Sequence, residues 1–138
     1  MNMKRLATFA ALSVLGLMVP HANAQRLCNN AELVGGYSFV ASGTFGTNGF
    51  AAAGQGFYDG NGGVTGVINM SVGGTVTGPI TWTGTYVVNP DCTATKTVVI
   101  PGIGTVHFFI TAGNGFAELR FIATDTGTVI SGTAQRQY

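Results

Sequence analysis

The chain has 138 residues, 46% of them hydrophobic and only 8% charged, with six Lys and Arg against five Asp and Glu for a formal net charge of +1. So sparse a charge lacks the clustered Lys and Arg that nucleic acid or an anionic membrane surface attracts, and no nucleic-acid partner is expected. Plentiful aromatic and β-branched residues exclude an intrinsically disordered chain.

In chain order, the first element reads as an address. Lys4 and Arg5 form a short basic region, and Leu6 to Val19 form an apolar run that Pro20 breaks. Ala22-Asn23-Ala24 then matches the small-x-small pattern that signal peptidase cuts. The run is about 14 residues long, shorter than the roughly 20 a transmembrane helix needs, so an anchor is the weaker reading. Residues 1–24 are therefore expected to be a cleaved signal peptide and residues 25–138 a single secreted or periplasmic domain. That domain keeps Arg26, Lys96, Arg120 and Arg136 against Glu32, Asp59, Asp91, Glu118 and Asp125, four against five, for a net charge near −1. Cys28 and Cys92 are the two cysteines. Behind such a leader they are expected to form one disulfide, worth about 4 kcal/mol through the long loop it closes. Neither a CxxC pair nor a neighbouring base supports a redox role.

Beyond Gly36 the chain becomes short stretches of Val, Ile, Thr, Phe and Tyr, separated by turn residues such as Asn48-Gly49, Asp59-Gly60-Asn61-Gly62-Gly63, Gly73-Gly74 and Asp125-Thr126-Gly127. Asn-Gly and Asp-Gly supply the positive φ values that tight hairpins require. A turn at most is expected over Asn29–Val34. Eight strands are predicted: Tyr37–Ser42, Phe50–Tyr58, Val64–Val72, Thr77–Val88, Thr93–Ile100, Thr105–Ala112, Phe116–Thr124 and Thr128–Arg136. All links but the first are too short for a parallel crossover. An eight-stranded antiparallel up-and-down barrel removes both exposed edges and is the preferred fold. A β-sandwich is the alternative, with Gly78-Pro79 bending the long fourth strand. Alternation puts Trp82, Gly84, Tyr86 and Val88 on one face with Thr81, Thr83 and Thr85 on the other. Leu119, Phe121 and Ala123 likewise oppose Glu118 and Arg120.

Gln55–Gly66 (QGFYDGNGGVTG), Thr83–Thr93 (TGTYVVNPDCT) and the closing Phe121–Val129 with Gly132-Thr133-Ala134 together resemble a set of small exported bacterial β-proteins. In that set a G-x-x-x-x-D-G-x-G hairpin precedes a G-T-Y-x-V-x-x-D-C-T segment. The shared motifs are turn and strand chemistry and span most of the domain, and the set carries no established activity. Its meander is similar in outline to calycin-like and allene-oxide-cyclase-like barrels, which hold small apolar molecules. The resemblance implies a barrel with an interior site and assigns no catalytic residue.

The candidate site residues follow from side-chain chemistry. Trp82 and Tyr86, with Tyr37, Phe39 and Phe57, are the proposed wall of an apolar pocket, because aromatic rings combine large area with a polar tip. Ala51-Ala52-Ala53-Gly54 is expected to leave volume unfilled. His107, the single histidine beyond residue 24, becomes a general base if it faces the interior. Glu118 and Arg120 become an anchor for a polar ligand group if they face inward, and a surface pair of little worth if outward, which is the favoured side. Asp59-Gly60-Asn61-Gly62-Gly63 lacks the further acidic ligands of a calcium loop and reads as a hairpin turn. No metal, cofactor or catalytic group is assigned. The leading expectation is an exported barrel binding a small apolar or amphipathic molecule. A ligand-free structural protein of the cell envelope is the alternative, and a cyclase- or isomerase-type barrel a distant third. An outer-membrane barrel is disfavoured because Arg136 shares a face with Tyr138, where lipid-facing apolar groups belong, so membrane insertion is not expected. Oligomeric state is left open.

Overall fold

The computed structural model describes residues 26–138, so the leader expected over residues 1–24 lies outside the described residues. Eight strands follow in order: β1 Val34–Phe45, β2 Asn48–Asp59, β3 Gly63–Val72, β4 Thr75–Val88, β5 Thr93–Ile100, β6 Gly104–Gly113, β7 Glu118–Ala123 and β8 Thr128–Arg136. Each pairs antiparallel with the next, and β1 also pairs with β8, which closes the barrel. Tyr37, for example, lies opposite Gly56 on one side and Arg136 on the other. The links run to two to four residues, short enough that hairpins are the only connection available.

Most strand ends shift by one to three residues from the sequence reading, and at two links the shift has a visible cause. The first link, expected to be long, is only Gly46-Thr47, because β1 and β2 continue through residues that look like punctuation. Gly43 is one of them. A Cβ there would overlap the Val129 carbonyl, so this glycine marks close backbone approach between β1 and β8 rather than a turn. At the other boundary β7 starts at Glu118 instead of Phe116. Phe116 sits in the preceding link at φ +69°, a conformation uncommon for a bulky residue, and its ring is buried.

Gly78-Pro79 does not bend β4 into a second sheet. The β3–β4 register shifts between Ile68 and Met70, opposite this dipeptide, so one strand continues through a bulge. Proline lacks a backbone donor, and a bulge is where a strand tolerates that loss. A single turn of 3-10 helix, Asn30–Glu32, precedes β1, with the Asn29 side chain accepting from the Ala31 N–H at 2.9 Å.

The strand pleat sends alternate residues to opposite faces. Threonines take the outside of β4 and β5, while Trp82, Tyr86 and Val88 and then Ala94, Val98 and Ile100 are buried inside. Glycines on the inner face act as seats for rings. A Cβ on Gly66 would overlap the Trp82 indole, one on Gly132 would overlap the Phe121 ring, and one on Gly54 would stand 2.8 Å from Phe39. The space that small residues leave on β2, β3 and β8 is largely occupied by aromatic edges, so the free volume expected from the Gly- and Ala-rich β2 is mostly filled.

Candidate functional site: an aromatic cavity around one inward lysine

The barrel has two unlike ends. One end, the base, gathers the chain before β1 and the links 60–62, 89–92 and 114–117. The other, the mouth, is formed by the links 46–47, 73–74, 101–103 and 124–127. Between them lies a cavity of about 60 Å³. Its walls are Phe39, Ile68, Met70, Trp82, Phe108 and Phe121, with Tyr37 and Tyr58 toward the base and Phe45, Phe50 and Ile103 toward the mouth. That volume holds a few waters or a stretch of thin chain. It is well below the roughly 150 Å³ that admits benzene.

One charged side chain lines this cavity, Lys96 of β5. Its neighbours on the inner face of the strand are Ala94 and Val98, so the pleat alone aims it inward. Four rings surround the ammonium: Phe108 at 5.2 Å, Trp82 at 5.4 Å, Phe121 at 5.5 Å and Tyr58 at 5.6 Å from Nζ to ring centre. Each such contact stabilises a cation by about 0.5–2 kcal/mol, more as water is excluded. Lys96 Nζ also donates to the Tyr58 hydroxyl at 3.1 Å. Among the described residues the ion pairs are Arg26–Glu32 and His107–Asp125, so Lys96 has no carboxylate partner there. The rings are held by one another, edge to face. Phe39 meets Trp82 and Phe121 at 6.3 and 6.4 Å, and Phe108 meets Phe121 at 5.5 Å. Trp82 is 4% exposed, and its Nε1 is a buried donor with no hydrogen-bond partner among the described residues. Buried polar atoms nearly always have partners, so an exception marks a place of interest.

Among the described residues, the polar groups of the base are paired. The Tyr86 hydroxyl donates to the Leu33 carbonyl at 2.6 Å, and the Tyr37 hydroxyl donates to the Phe116 carbonyl at 2.6 Å. Arg136 stacks over the Tyr37 ring at 5.4 Å and donates from Nε to its hydroxyl and from Nη2 to the Glu32 carbonyl. Burial raises the pKa of both Tyr37 and Tyr86 above the usual 10.0, because a phenolate there would lose water. A disulfide joins Cys28 to Cys92, and the Cys28 N–H donates to the Pro90 carbonyl at 3.2 Å.

The residues singled out from sequence divide into three groups. Trp82 and Tyr37 line the cavity, together with Phe39. Tyr86 faces inward but serves as a latch at the base. Phe57, His107, Glu118 and Arg120 do not line the cavity. Phe57 is 49% exposed on the outer face, between inward Gly56 and Tyr58, so the pocket wall on β2 is Tyr58 and the assignment of Phe57 was one residue off the pleat. His107 lies outside between Val106 and Phe108, where its Nδ1 meets Asp125 Oδ1 at 2.7 Å. The Asp125 carboxylate also accepts the His107 backbone N–H at 2.7 Å, which lowers the Asp125 pKa below its usual range. Glu118 and Arg120 are outward on β7, opposite buried Leu119 and Phe121, the side favoured for them. The Asp59 carboxylate accepts from the Asn61 and Gly63 N–H groups, as a hairpin turn requires, and these bonds lower its pKa. Lys96 and Tyr58 are the interior polar residues that the sequence reading did not place in the pocket, and Met70 and Phe108 are further wall residues outside it.

No protein-family model and no curated protein matches the chain. Among solved structures, it is similar to a redesigned β-barrel, mFAP0, bound to DFHBI, with a TM-score of 0.52 and 20% identity. The match covers 76% of this chain and 99% of that one. At that identity the likeness concerns the fold, a small closed barrel.

Proposed function

We propose that this protein is an exported barrel that binds a small apolar or amphipathic molecule in its interior. The observation that carries the reading is the cavity walled by aromatic rings around a single lysine with no carboxylate partner. Lys96 is half-buried, and an ammonium turned toward an apolar interior loses part of its water, a cost that packing alone does not repay. The similar barrel mFAP0 was solved with a bound small molecule, DFHBI, which supports the reading by analogy of fold. Export is supported by the leader-like residues 1–24 and by the Cys28–Cys92 disulfide, a bond typical of oxidising compartments.

The cyclase or isomerase alternative rested on His107 or Glu118 facing inward, and neither lines the cavity. An envelope-docking role has one observation in its favour: Phe57, Phe109 and Ile122 are large apolar residues exposed on the outer face, with Phe109 and Ile122 side by side across β6 and β7. Native mass spectrometry of the disulfide-intact protein from its own host separates the two readings. A discrete added mass that is lost on denaturation is expected from the binding role. A bare mass in every preparation overturns it in favour of the outer surface.

A further inference from the structure

Resting on that binding reading, we infer that the bound molecule is a monoanionic amphiphile, a single unbranched chain ending in a carboxylate, held head-inward on Lys96 Nζ.

The first argument is a census of charge. Four cations occur in residues 26–138. Arg26 pairs with Glu32 at 3.1 Å, Arg120 is exposed on the outer face, and Arg136 is spent on the Tyr37 hydroxyl and the Glu32 carbonyl. Lys96 is left among apolar walls. Its ammonium has three donors, of which one goes to Tyr58. Ring faces attract the charge but do not accept its remaining N–H groups in the directional way an oxygen does.

The second argument is independent of charge. Trp82 Nε1 belongs to a cavity-lining residue, is buried, and lacks an acceptor among the described residues. Tyr58, which is 3% exposed, accepts from Lys96 and so retains its own hydroxyl proton for donation. The ammonium and the phenol, 3.1 Å apart, and the indole of the same cavity lining are all donors, and among the described residues the lining offers them no acceptor beyond the Tyr58 oxygen already used. A carboxylate supplies two acceptor oxygens and one negative charge, which matches one ammonium without excess. A phosphate dianion would bring a second charge for which this interior has no partner.

The third argument is width. About 60 Å³ among these rings leaves room for methylenes in single file and none for a ring system. From Lys96 the lining turns wholly apolar toward the mouth, ending at Phe45, Phe50 and Ile103. The head therefore lies deep and the tail runs outward past these three side chains.

The test uses the disulfide-bonded protein after delipidation, with decanoate, 1-decanol and decyltrimethylammonium as probes below their micelle concentrations. Trp82 is the one tryptophan of the chain, so its emission and its single indole N–H cross-peak both report from the cavity wall. Decanoate is expected to bind at least about tenfold more tightly than decanol, with the ammonium amphiphile weakest, and to move the indole proton downfield. Lys96→Met is expected to weaken decanoate by about ten- to a hundredfold and leave decanol nearly unchanged. Decanol binding as well as decanoate, or decanoate indifferent to Lys96→Met, overturns the carboxylate inference while leaving the pocket. Failure of both decanoate and decanol overturns the pocket reading itself. Should Lys96→Met not fold, the ranking of the three head groups on the unaltered protein still decides.

Discussion

The two ends of this barrel are closed by different chemistry. At the base, groups far apart in sequence meet through directional polar bonds: Tyr37 to Phe116, Tyr86 to Leu33, Arg136 to Glu32, and the disulfide over a separation of 64 residues. At the mouth, tight turns such as Gly46-Thr47 and Gly73-Gly74 carry half-buried Phe45, Phe50, Val72 and Ile103, which pack by apolar contact. Polar bonds specify a single geometry, whereas apolar contacts of partly exposed side chains tolerate rearrangement. The difference teaches where a ligand enters. The base is a plug, whereas Phe45, Phe50 and Ile103 at the mouth can give way without stranding a buried polar atom.

The largest effect is expected from the disulfide. Replacing Cys28 and Cys92 by serine removes a cross-link worth about 4 kcal/mol in the chain-entropy model. Urea unfolding should show that loss in its midpoint. Amide exchange should quicken at base positions such as Gly36, whose N–H donates to Tyr138, before it quickens at Gly73, whose N–H donates to Gly49 across the mouth. Equal loosening at both ends would break the comparison.

Tyr37→Phe comes next. It strands the Phe116 carbonyl and the Arg136 Nε together, a buried acceptor and a charged donor, and should cost about 1–3 kcal/mol. Chemical denaturation measures it. A cost near zero would mean that water replaces the hydroxyl and that the base is wetter than its burial indicates.

The same phenols set the alkaline limit. Burial holds the folded pKa of Tyr37 and Tyr86 above 10.0, so the fold favours the neutral form. Their contribution is fully present below about pH 10 and is lost as pH rises through the folded values. Ultraviolet titration of tyrosinate should show Tyr37 and Tyr86 ionising together with unfolding. Ionisation of all four tyrosines at ordinary values with the fold intact would contradict a sealed base.

How much of this was legible in the sequence depends on the residue. The turn residues set the number of strands, and seven short links between eight strands leave a closed meander as the arrangement without edges. β5 was equally legible. In Thr93–Ile100 the even positions are Ala94, Lys96, Val98 and Ile100 and the odd ones mostly Thr, so the alternation that marks the core face also marks Lys96 as inward. Residue type points the other way, since a lone lysine among threonines has the composition of a surface strand. Phe57 and Tyr58 show the opposite difficulty: two adjacent aromatics suit either register, and only the pairing of Tyr58 with Val64 settles which one faces in. The unpartnered Trp82 N–H was beyond reach, since it depends on how the indole lies against Gly56 and Gly66.

The smallest effect is expected at the mouth and at the other end of the pH scale. Asp125, in the link before β8, accepts both the His107 backbone N–H and its imidazole, and these bonds stabilise the carboxylate. With a folded pKa below the usual 3.8, its contribution is fully present above about pH 3.8 and fades as pH falls through the folded value. The site is half exposed, with the His107 side chain 52% and the Asp125 side chain 31% accessible, so solvent screens the pair and global stability should hardly move. The local signature is sharper. Asp125→Asn at neutral pH, or acid on the unaltered protein, should speed exchange of the His107 amide and leave the base tyrosine contacts in place. Mouth and base then fail at opposite ends of the pH range, the mouth through a carboxylate that gains a proton and the base through phenols that lose theirs. If acid instead loosens Leu33 and Gly36 first, the mouth is not the weaker end, and the route proposed for the ligand loses its support.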